Sequence, residues 1–387
     1  MPPALHLTGG RLLLDDGVVH TSLTIAQGQI TAIGGAVPPG ARQIDLAGLL
    51  VLPGAVDLHG DAFERCLFPR PGVSIPAGIA LRDADRQVLA AGITTAYHAV
   101  TLGWEPGPRG TNGATALIDA IAAARPRLGA ETRLHLRFEV THVDGVAPAL
   151  DWIARRRVDL IAFNDHAAYQ AHEARERPAK LAAYVARTGL TAAAFIALAE
   201  QALDRREAAA EGIARLASAA RAQGLPMASH DDASPAQRAD WHALGCGIAE
   251  FPLDITTAAA ARAAGAEVMM GAPNVLRGGS HDHRLSATEA VRAGHVTLLS
   301  SDYHYPALTA APFRLRLDLR EAWPLVSANP ARAAGLADRG RIASGLRADL
   351  ALVDDTLPGE PMVMATLVAG RTAFAARDLA LAEKDRP

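Results

Sequence analysis

Lysine and cysteine are almost absent from this sequence. Lys180 and Lys384 are the only lysines among 387 residues, and Cys66 and Cys246 are the only cysteines. The two cysteines lie far apart and form no CxxC pair, so the sequence offers no disulfide framework. We interpret both as packing residues with reduced thiols, which is typical of a cytoplasmic protein.

Long apolar runs and blocks of one charge are also missing. No uninterrupted apolar stretch approaches the roughly 18 residues of a membrane span, and the start, MPPALHLTGGRLLLDDG, lacks the pattern of a signal peptide. The 38 basic and 41 acidic residues are mixed along the chain, so no basic block matches a nucleic-acid backbone. Because half of the residues are hydrophobic, we expect a globular cytoplasmic protein with neither a nucleic-acid nor a membrane partner.

Both ends of the chain have a sequence pattern typical of short β-strands. Residues 5 to 52 contain alternating segments broken by glycine pairs and by the Pro38-Pro39-Gly40 turn, and the segments ADLALVD and MVMATLVAGRTAF repeat this pattern near the other end. We therefore predict a small β-sandwich domain formed by residues 1–52 together with residues 340–387. The remaining residues, 53–339, form a second domain.

In that second domain, short apolar runs alternate with long alanine-rich helical segments. This alternation is typical of repeated βα units around a parallel sheet. The predicted strands are residues 51–60, 93–100, 133–140, 158–165, 225–230, 247–252, 267–272 and 296–302. Eight such units predict an α/β fold, a (β/α)₈ TIM-type barrel, whose functional residues lie at the carboxyl ends of the strands.

The first predicted barrel strand, LPGAVDLHGD, ends in a cluster of polar residues. Residues two apart in a strand point to the same face, so the pattern predicts that Asp57, His59 and Asp61 project together while Val56 and Leu58 face the helices. A buried parallel strand is not expected to have a solvated face. We therefore interpret the polar face as a set of metal ligands.

Other predicted strands end in the same residue types. In LHLRFEV, residues His135, Arg137 and Glu139 share one face, and three further segments end in a histidine or an aspartate. The strand-terminal candidates are Glu139, His166, His230 and Asp302. A single histidine at a strand end is commonly just a hydrogen-bonded residue, but five segments with this feature indicate a metal site.

Imidazole and carboxylate ligands suit zinc and related divalent ions. Two ions need a bridging group, either a modified lysine or a carboxylate. Neither Lys180, in a polar helical stretch, nor Lys384, near the end of the sequence, terminates a barrel strand. A carboxylated lysine is therefore excluded, and Glu139 is the predicted bridge.

These motifs, together with SSD at 300–302 and the closing NPARAAGLADRGRIASGLRADLALVD, resemble the amidohydrolase superfamily over nearly the whole chain. Most superfamily members carry two histidines on the first strand, whereas this chain has Asp61 in the second place. More narrowly, HLRFE, FNDH, ASHDD, IAEFP, MGAPNVLRGGSH and LSSDY are similar, in this order, to the diphosphatases that act on α-D-ribose 1-methylphosphonate 5-triphosphate in the carbon-phosphorus lyase pathway.

The resemblance implies hydrolysis of this triphosphate to the 5-phosphate, with release of pyrophosphate, at two divalent ions that are usually zinc. The implied ligands are His59 and Asp61 for one ion, His166 and His230 for the other, Glu139 between them, and Asp302. Asp302 is also implied as the catalytic residue that transfers the proton. Family members often form dimers or larger assemblies, so we expect a homo-oligomer.

A phosphorylated substrate needs cations and free backbone amides. The loop MGAPNVLRGGSH supplies them after a predicted barrel strand, and its candidate substrate-binding residues are Arg277, Gly278, Gly279, Ser280 and His281. Glycine-rich amides cradle phosphate oxygens and arginine binds them bidentately. A tight turn with a surface arginine is the alternative interpretation of this loop, and Arg70 in FPRPG is interpreted as a solvated surface residue.

Two other functions compete with a diphosphatase. A related enzyme that hydrolyses a cyclic amide, an N-acyl group or a base would keep the metals, but such substrates do not need Arg277 with its glycine-rich loop. A non-catalytic barrel scaffold is expected to have lost ligands, whereas every expected metal position here holds a competent residue type. Glu250 in IAEFP is predicted to make an inward hydrogen bond and is given no catalytic role.

Overall fold

The computed structural model describes residues 3–70, 72–279 and 284–376. Strands from both ends of the chain form one mostly antiparallel eight-stranded sheet, in which β1 also pairs in parallel with β4 and β5. These strands are β1 Leu5–Leu14, β2 Gly17–Ala26, β3 Gln29–Ile33, β4 Arg42–Asp45, β5 Leu50–Pro53, β14 Leu350–Asp354, β15 Met362–Val368 and β16 Arg371–Ala375. The sheet surrounds its own apolar core, which includes Leu7, Leu23 and Leu352. This is the predicted small β-sandwich domain.

The second sheet is the barrel, with eight parallel strands in sequence order. Its strands are β6 Ala55–Gly60, β7 Ile93–Leu102, β8 Glu131–Glu139, β9 Leu160–Asn164, β10 Met227–His230, β11 Ile248–Glu250, β12 Glu267–Gly271 and β13 Leu298–Ser300. Every residue of β7 is buried, as expected for a parallel strand that is covered on both faces. The predicted (β/α)₈ fold and its eight strands are confirmed.

Helices follow the barrel strands and cover the sheet. The α-helices are α1 Glu64–Leu67, α2 Ala77–Ala90, α3 Thr111–Ala124, α4 Val146–Ala154, α5 Ala167–Glu176, α6 Pro178–Thr188, α7 Ala192–Asp204, α8 Arg206–Ala222, α9 Pro235–Ala243, α10 Ile255–Ala263, α11 Ala272–Arg277, α12 Ala287–Arg292, α13 Tyr305–Arg314, α14 Leu319–Ala322 and α15 Ala328–Ala333. Side chains just before the helices cap several of them. Ser234 and Asp254, for example, accept hydrogen bonds from the backbone amides of Gln237 and Thr257.

The barrel closes between its first and last strands through a bridge between Gly60 and Asp302. The amide of Asp302 donates to the carbonyl oxygen of His59 at 2.9 Å, and the amide of Asp61 donates to the carbonyl oxygen of Asp302 at 3.0 Å. Three candidate ligands are therefore fixed by the backbone hydrogen bonds that close the barrel.

The segment predicted as one strand, residues 51–60, is two strands. β5 ends at Pro53 and belongs to the sandwich sheet, whereas β6 begins at Ala55 in the barrel. Gly54 joins them, and a Cβ atom at this position would lie 2.4 Å from the side chain of Thr94. The chain therefore passes from one sheet to the other at a position that only glycine fits. The domain boundaries after residues 52 and 339 stay predictions.

The predicted alternation along the first barrel strand was wrong. Val56 and Leu58 pack with Tyr97 in the apolar cluster inside the barrel, whereas the Asp57 carboxylate accepts hydrogen bonds from the backbone amide and the hydroxyl of Ser301. The pairing of β6 with β7 shifts register between residues 57 and 60. Because such a bulge reverses which residues after it point inward, His59 still lines a cavity at the carboxyl ends of the barrel strands.

Within the described part of the chain, no single helix is long and apolar enough to cross a membrane. Helices α6 and α7 satisfy the length and composition of a span only as a pair, and a bend of 90° separates them.

Candidate metal centre

The candidate ligands meet at the carboxyl ends of the barrel strands. Among the described residues, three groups each have one potential ligand atom per residue within 4.8 Å of the others. The groups are His59, Asp61 and Asp302; His166, His230 and Asp231; and His59, His230 and Glu250. Five of the six predicted metal ligands therefore lie in these groups, and Asp231 and Glu250 join them.

The first group lies where the barrel closes. Asp302 adopts a left-handed backbone conformation, with φ of 53°, which is uncommon for a residue with a side chain and persists where the surrounding structure enforces it. Burial, reinforced by the nearby charge of Asp61, raises the pKa of Asp302 to about 7. Two carboxylates held this close in a low-dielectric site favour a bound cation or proton between them.

The second group joins the fourth and fifth barrel strands. His166 follows β9 and His230 ends β10, and Nε2 of His166 lies 3.8 Å from the Asp231 carboxylate. Asp231 also has a left-handed φ of 56° and forms a 2.9 Å ion pair with Arg284. The strand count made from the sequence is therefore correct for both histidines.

Glu250 is fully buried beneath the two ligand groups. Its Oε2 atom lies 3.2 Å from Nδ1 of His59 and 3.0 Å from Nδ1 of His230. Because the carboxylate engages Nδ1 of both rings, Nε2 of each is the nitrogen left to bind a metal, which is the usual arrangement of ligand histidines and their supporting carboxylates. The predicted inward hydrogen bond is confirmed, and the one sequence signal for it was an acid within an apolar strand.

The structure places Glu139 beside one histidine. Its Oε1 atom lies 2.7 Å from Nδ1 of His166, and its other oxygen accepts the backbone amide of His166 at 3.2 Å. Burial alone would lower the pKa of His166, but the Glu139 carboxylate raises it above its ordinary value. Glu139 belongs to none of the three ligand groups, so its bridging role stays a prediction.

Arg137 was not predicted as a site residue, although it lies between His135 and Glu139 in HLRFE. Its guanidinium Nη1 lies 3.4 Å from the carboxylate of Asp61. Burial, with a smaller effect of Arg137, lowers the pKa of His59 to about 3. Burial, assisted by this fixed cation beside the candidate ligands, therefore keeps the His59 imidazole neutral.

The residues present fit a divalent metal. Burial lowers the pKa of His230 as well as that of His59, so both rings are neutral and able to donate a lone pair at neutral pH. Neutral imidazoles combined with carboxylates form the donor set preferred by zinc and similar ions.

Part of the predicted phosphate loop borders a cavity that also contains candidate metal ligands. Helix α11 ends at Arg277, and Gly278 then adopts a left-handed φ of 75°. Arg277 donates a hydrogen bond to the Tyr303 hydroxyl at 3.2 Å. With the candidate ligands His59, His230 and Asp302, it lines a cavity of about 200 Å³, which we call the metal cavity. Gly279 follows Gly278 directly, whereas Ser280 and His281 lie outside the described residues.

Comparison with curated proteins gives an extensive match. The α-D-ribose 1-methylphosphonate 5-triphosphate diphosphatase of Escherichia coli (strain K12) is 38% identical over 357 residues, which span 88% of this chain and 93% of that enzyme. An allantoinase from Solibacter usitatus (strain Ellin6076) is 35% identical over 98 residues, which span 25% of this chain and 20% of that enzyme. No family model matches the chain.

Solved structures share the fold. An amidohydrolase from an environmental sample of the Sargasso sea aligns with a TM-score of 0.66 and 17% identity over 96% of this chain and 93% of that one. The β-aspartyl dipeptidase of Fervidobacterium islandicum AW-1 aligns with a TM-score of 0.63 and 15% identity over 96% of both chains. At these identities the likeness concerns the barrel and its companion sheet.

Proposed function

Since this chain belongs to the amidohydrolase superfamily and, within it, to the family of the Escherichia coli diphosphatase, we propose that it cleaves α-D-ribose 1-methylphosphonate 5-triphosphate into the 5-phosphate and pyrophosphate. The observation that carries this substrate assignment is the position of Arg277, which lines one cavity together with the ligands His59 and Asp302. A cation that faces the reaction centre is what a polyphosphate chain requires.

Two divalent ions, zinc by the nature of the donors, are proposed at this centre. His59, Asp61 and Asp302 would hold one ion, and His166 and His230, with Asp231 beside them, would hold the other. Such ions supply positive charge to phosphoryl oxygens and lower the pKa of the attacking water. Glu139 is proposed as the carboxylate between the two ligand sets.

Residues of the chain itself transfer the proton, bind the substrate and orient the metal ligands. The Asp302 carboxylate accepts the proton of the attacking water. Asp302 follows the last barrel strand, where it lies close to Asp61 and lines the metal cavity. Arg277 and Arg284 hold the oxygens of the triphosphate and of the leaving pyrophosphate. Glu250 fixes the rings of the ligand histidines from below.

Hydrolysis of a cyclic amide or N-acyl group would use the same ligands. The arginines of the metal cavity favour a polyanionic substrate instead, because Arg137, Arg277 and Arg284 line it beside two aspartates that are themselves candidate metal ligands. A neutral amide carries no negative charge that these guanidinium groups could bind, whereas a triphosphate does.

Pyrophosphate release from α-D-ribose 1-methylphosphonate 5-triphosphate by metal-loaded protein tests the proposal. We expect release by the wild type and its loss in Asp302→Asn, which also controls for contaminating phosphatases. A metal-loaded wild type that releases no pyrophosphate would contradict the diphosphatase, and cyclic amides and N-acyl compounds would then be assayed. The predicted homo-oligomer is tested separately by light scattering.

A further inference from the structure

A second cavity of about 540 Å³ lies at the mouth of the barrel and is lined by four arginines. They come from three different connections that follow barrel strands. Arg65 and Arg70 follow β6, Arg109 follows β7, and Arg187 lies in α6, after β9. We call this space the arginine cavity. Because the carboxyl ends of all barrel strands meet at one edge, it lies on the same face of the molecule as the metal cavity.

Two of the four arginines are neutralised by glutamates. Arg109 pairs with Glu64 at 2.6 Å, and Arg187 pairs with Glu105 at 2.7 Å. Each pair is at least two-thirds buried, so these guanidinium groups form a fixed wall rather than mobile surface charges.

The other two arginines carry the surplus charge. The side chains of Arg65 and Arg70 are exposed and, within the described part of the chain, make no hydrogen bond or ion pair. Phe68 and Val73 line the same cavity, with 41% and 44% of their surfaces exposed. The cavity therefore presents unpaired cations beside apolar surface, a combination that suits an anion bearing a small apolar group.

The arginine cavity lies next to the ligand groups. Arg109 also lines a smaller cavity that contains Glu139 and His166, and the backbone amide of Glu64 donates to the carbonyl oxygen of Asp61 at 2.9 Å. The metal cavity itself has about 200 Å³, which is less than the roughly 300–1,000 Å³ of typical ligand pockets. A substrate with a sugar and two anionic ends therefore needs a neighbouring space.

We propose that the arginine cavity binds the alkylphosphonate end of the substrate while the triphosphate occupies the metal cavity. The free guanidinium groups of Arg65 and Arg70 hold the phosphonate oxygens, and Phe68 and Val73 contact its methyl group. This inference rests on the proposed diphosphatase function and adds to it a site that selects for the phosphonate.

The test compares two substrates on two double variants. The substrates are α-D-ribose 1-methylphosphonate 5-triphosphate and ribose 5-triphosphate without the phosphonate. The first variant is Arg65→Gln with Arg70→Gln. Its matched control is Arg127→Gln with Arg156→Gln, which removes two exposed arginines that precede β8 and β9 and so lie at the opposite face of the barrel. The measured quantity is the ratio of kcat/KM between the two substrates.

We expect the first variant to lower this preference about tenfold or more, the usual effect of losing charge-assisted hydrogen bonds, and the control to keep the wild-type preference. An unchanged preference in the first variant would overturn the inference while leaving the diphosphatase intact. If the wild type hydrolyses neither triphosphate, the proposed function fails. In that case calorimetric binding of methylphosphonate tests the arginine cavity by itself. Weaker binding in the first variant than in the control supports a phosphonate site in this cavity, and equal binding rejects it.

Discussion

The backbone amide of Asp302 donates a 2.9 Å hydrogen bond to the carbonyl oxygen of His59. These two candidate ligands are separated by almost the whole barrel sequence, yet the bond that closes the barrel places them side by side. The candidate metal centre therefore depends on the closure of the barrel.

Replacing Glu250 with glutamine is expected to weaken zinc binding by about 10- to 100-fold, the usual cost of losing a carboxylate that orients ligand histidines. Glu250 approaches Nδ1 of both His59 and His230, and a neutral amide cannot offer both rings a charged acceptor. Competition with a chromophoric chelator measures the affinity. Glu211→Gln, an exposed change in α8, is the control, and equal affinities in the two variants would refute the role of Glu250.

Metal removal is expected to lower the melting temperature. A ligand that binds only the folded state stabilises it by about 2.7 kcal/mol when present at 100 times its Kd, and the first ligand group spans the closure of the barrel. Calorimetry of chelated and reloaded protein measures the difference, which we expect to shrink in His230→Ala. If the wild type has the same melting temperature with and without metal, the result would argue against a resident ion.

Arg277→Gln is expected to raise KM for the triphosphate about tenfold while leaving zinc affinity unchanged, because Arg277 lines the metal cavity without belonging to a ligand group. Steady-state kinetics and the chelator assay give the two numbers. Arg292→Gln, an exposed change at the end of α12, serves as the control. An unchanged KM for Arg277→Gln would favour the tight-turn interpretation of the loop.

Glu131→Gln is expected to destabilise the protein at neutral pH by on the order of 2 kcal/mol. Burial would raise the pKa of Glu131, but hydrogen bonds from Arg339 and Arg347 lower it from 4.5 to about 2. The ionised carboxylate therefore stabilises the fold above pH 4.5, and this contribution is lost as the pH falls toward 2.

Urea unfolding of the wild type, Glu131→Gln and the control Glu211→Gln, compared between pH 7 and pH 3, checks this prediction. The difference between wild type and Glu131→Gln is expected to shrink at the lower pH. A difference that stays constant with pH would show that the ion pairs of Glu131 with Arg339 and Arg347 add nothing to stability.

Sequence patterns located the barrel strands and most of the candidate ligands. Apolar runs between helical segments mark strands, and a parallel barrel brings all of their carboxyl ends to one edge. His59, Asp61, His166, His230 and Asp302 were therefore predictable as neighbours without any knowledge of the distances between them.

Which residues of the first barrel strand point into the barrel was not predictable, because this depends on a register shift against β7. A two-residue alternation assumes regular pairing, and the sequence of β6 has no signal for the bulge that Val56, Leu58 and His59 reveal. The same limit applies to Gly54, whose role becomes visible only when Thr94 packs against it.

By itself, then, the sequence determined the eight-stranded barrel, the paired β-rich ends and the residue types at the strand ends, because these follow from local periodicity and composition. Only the tertiary structure decided that Glu250 supports His59 and His230, that Arg137 approaches Asp61, and that Arg65 and Arg70 face a second cavity. These contacts join segments that are distant in the chain, and their partners are selected by how the strands and helices pack rather than by any local pattern.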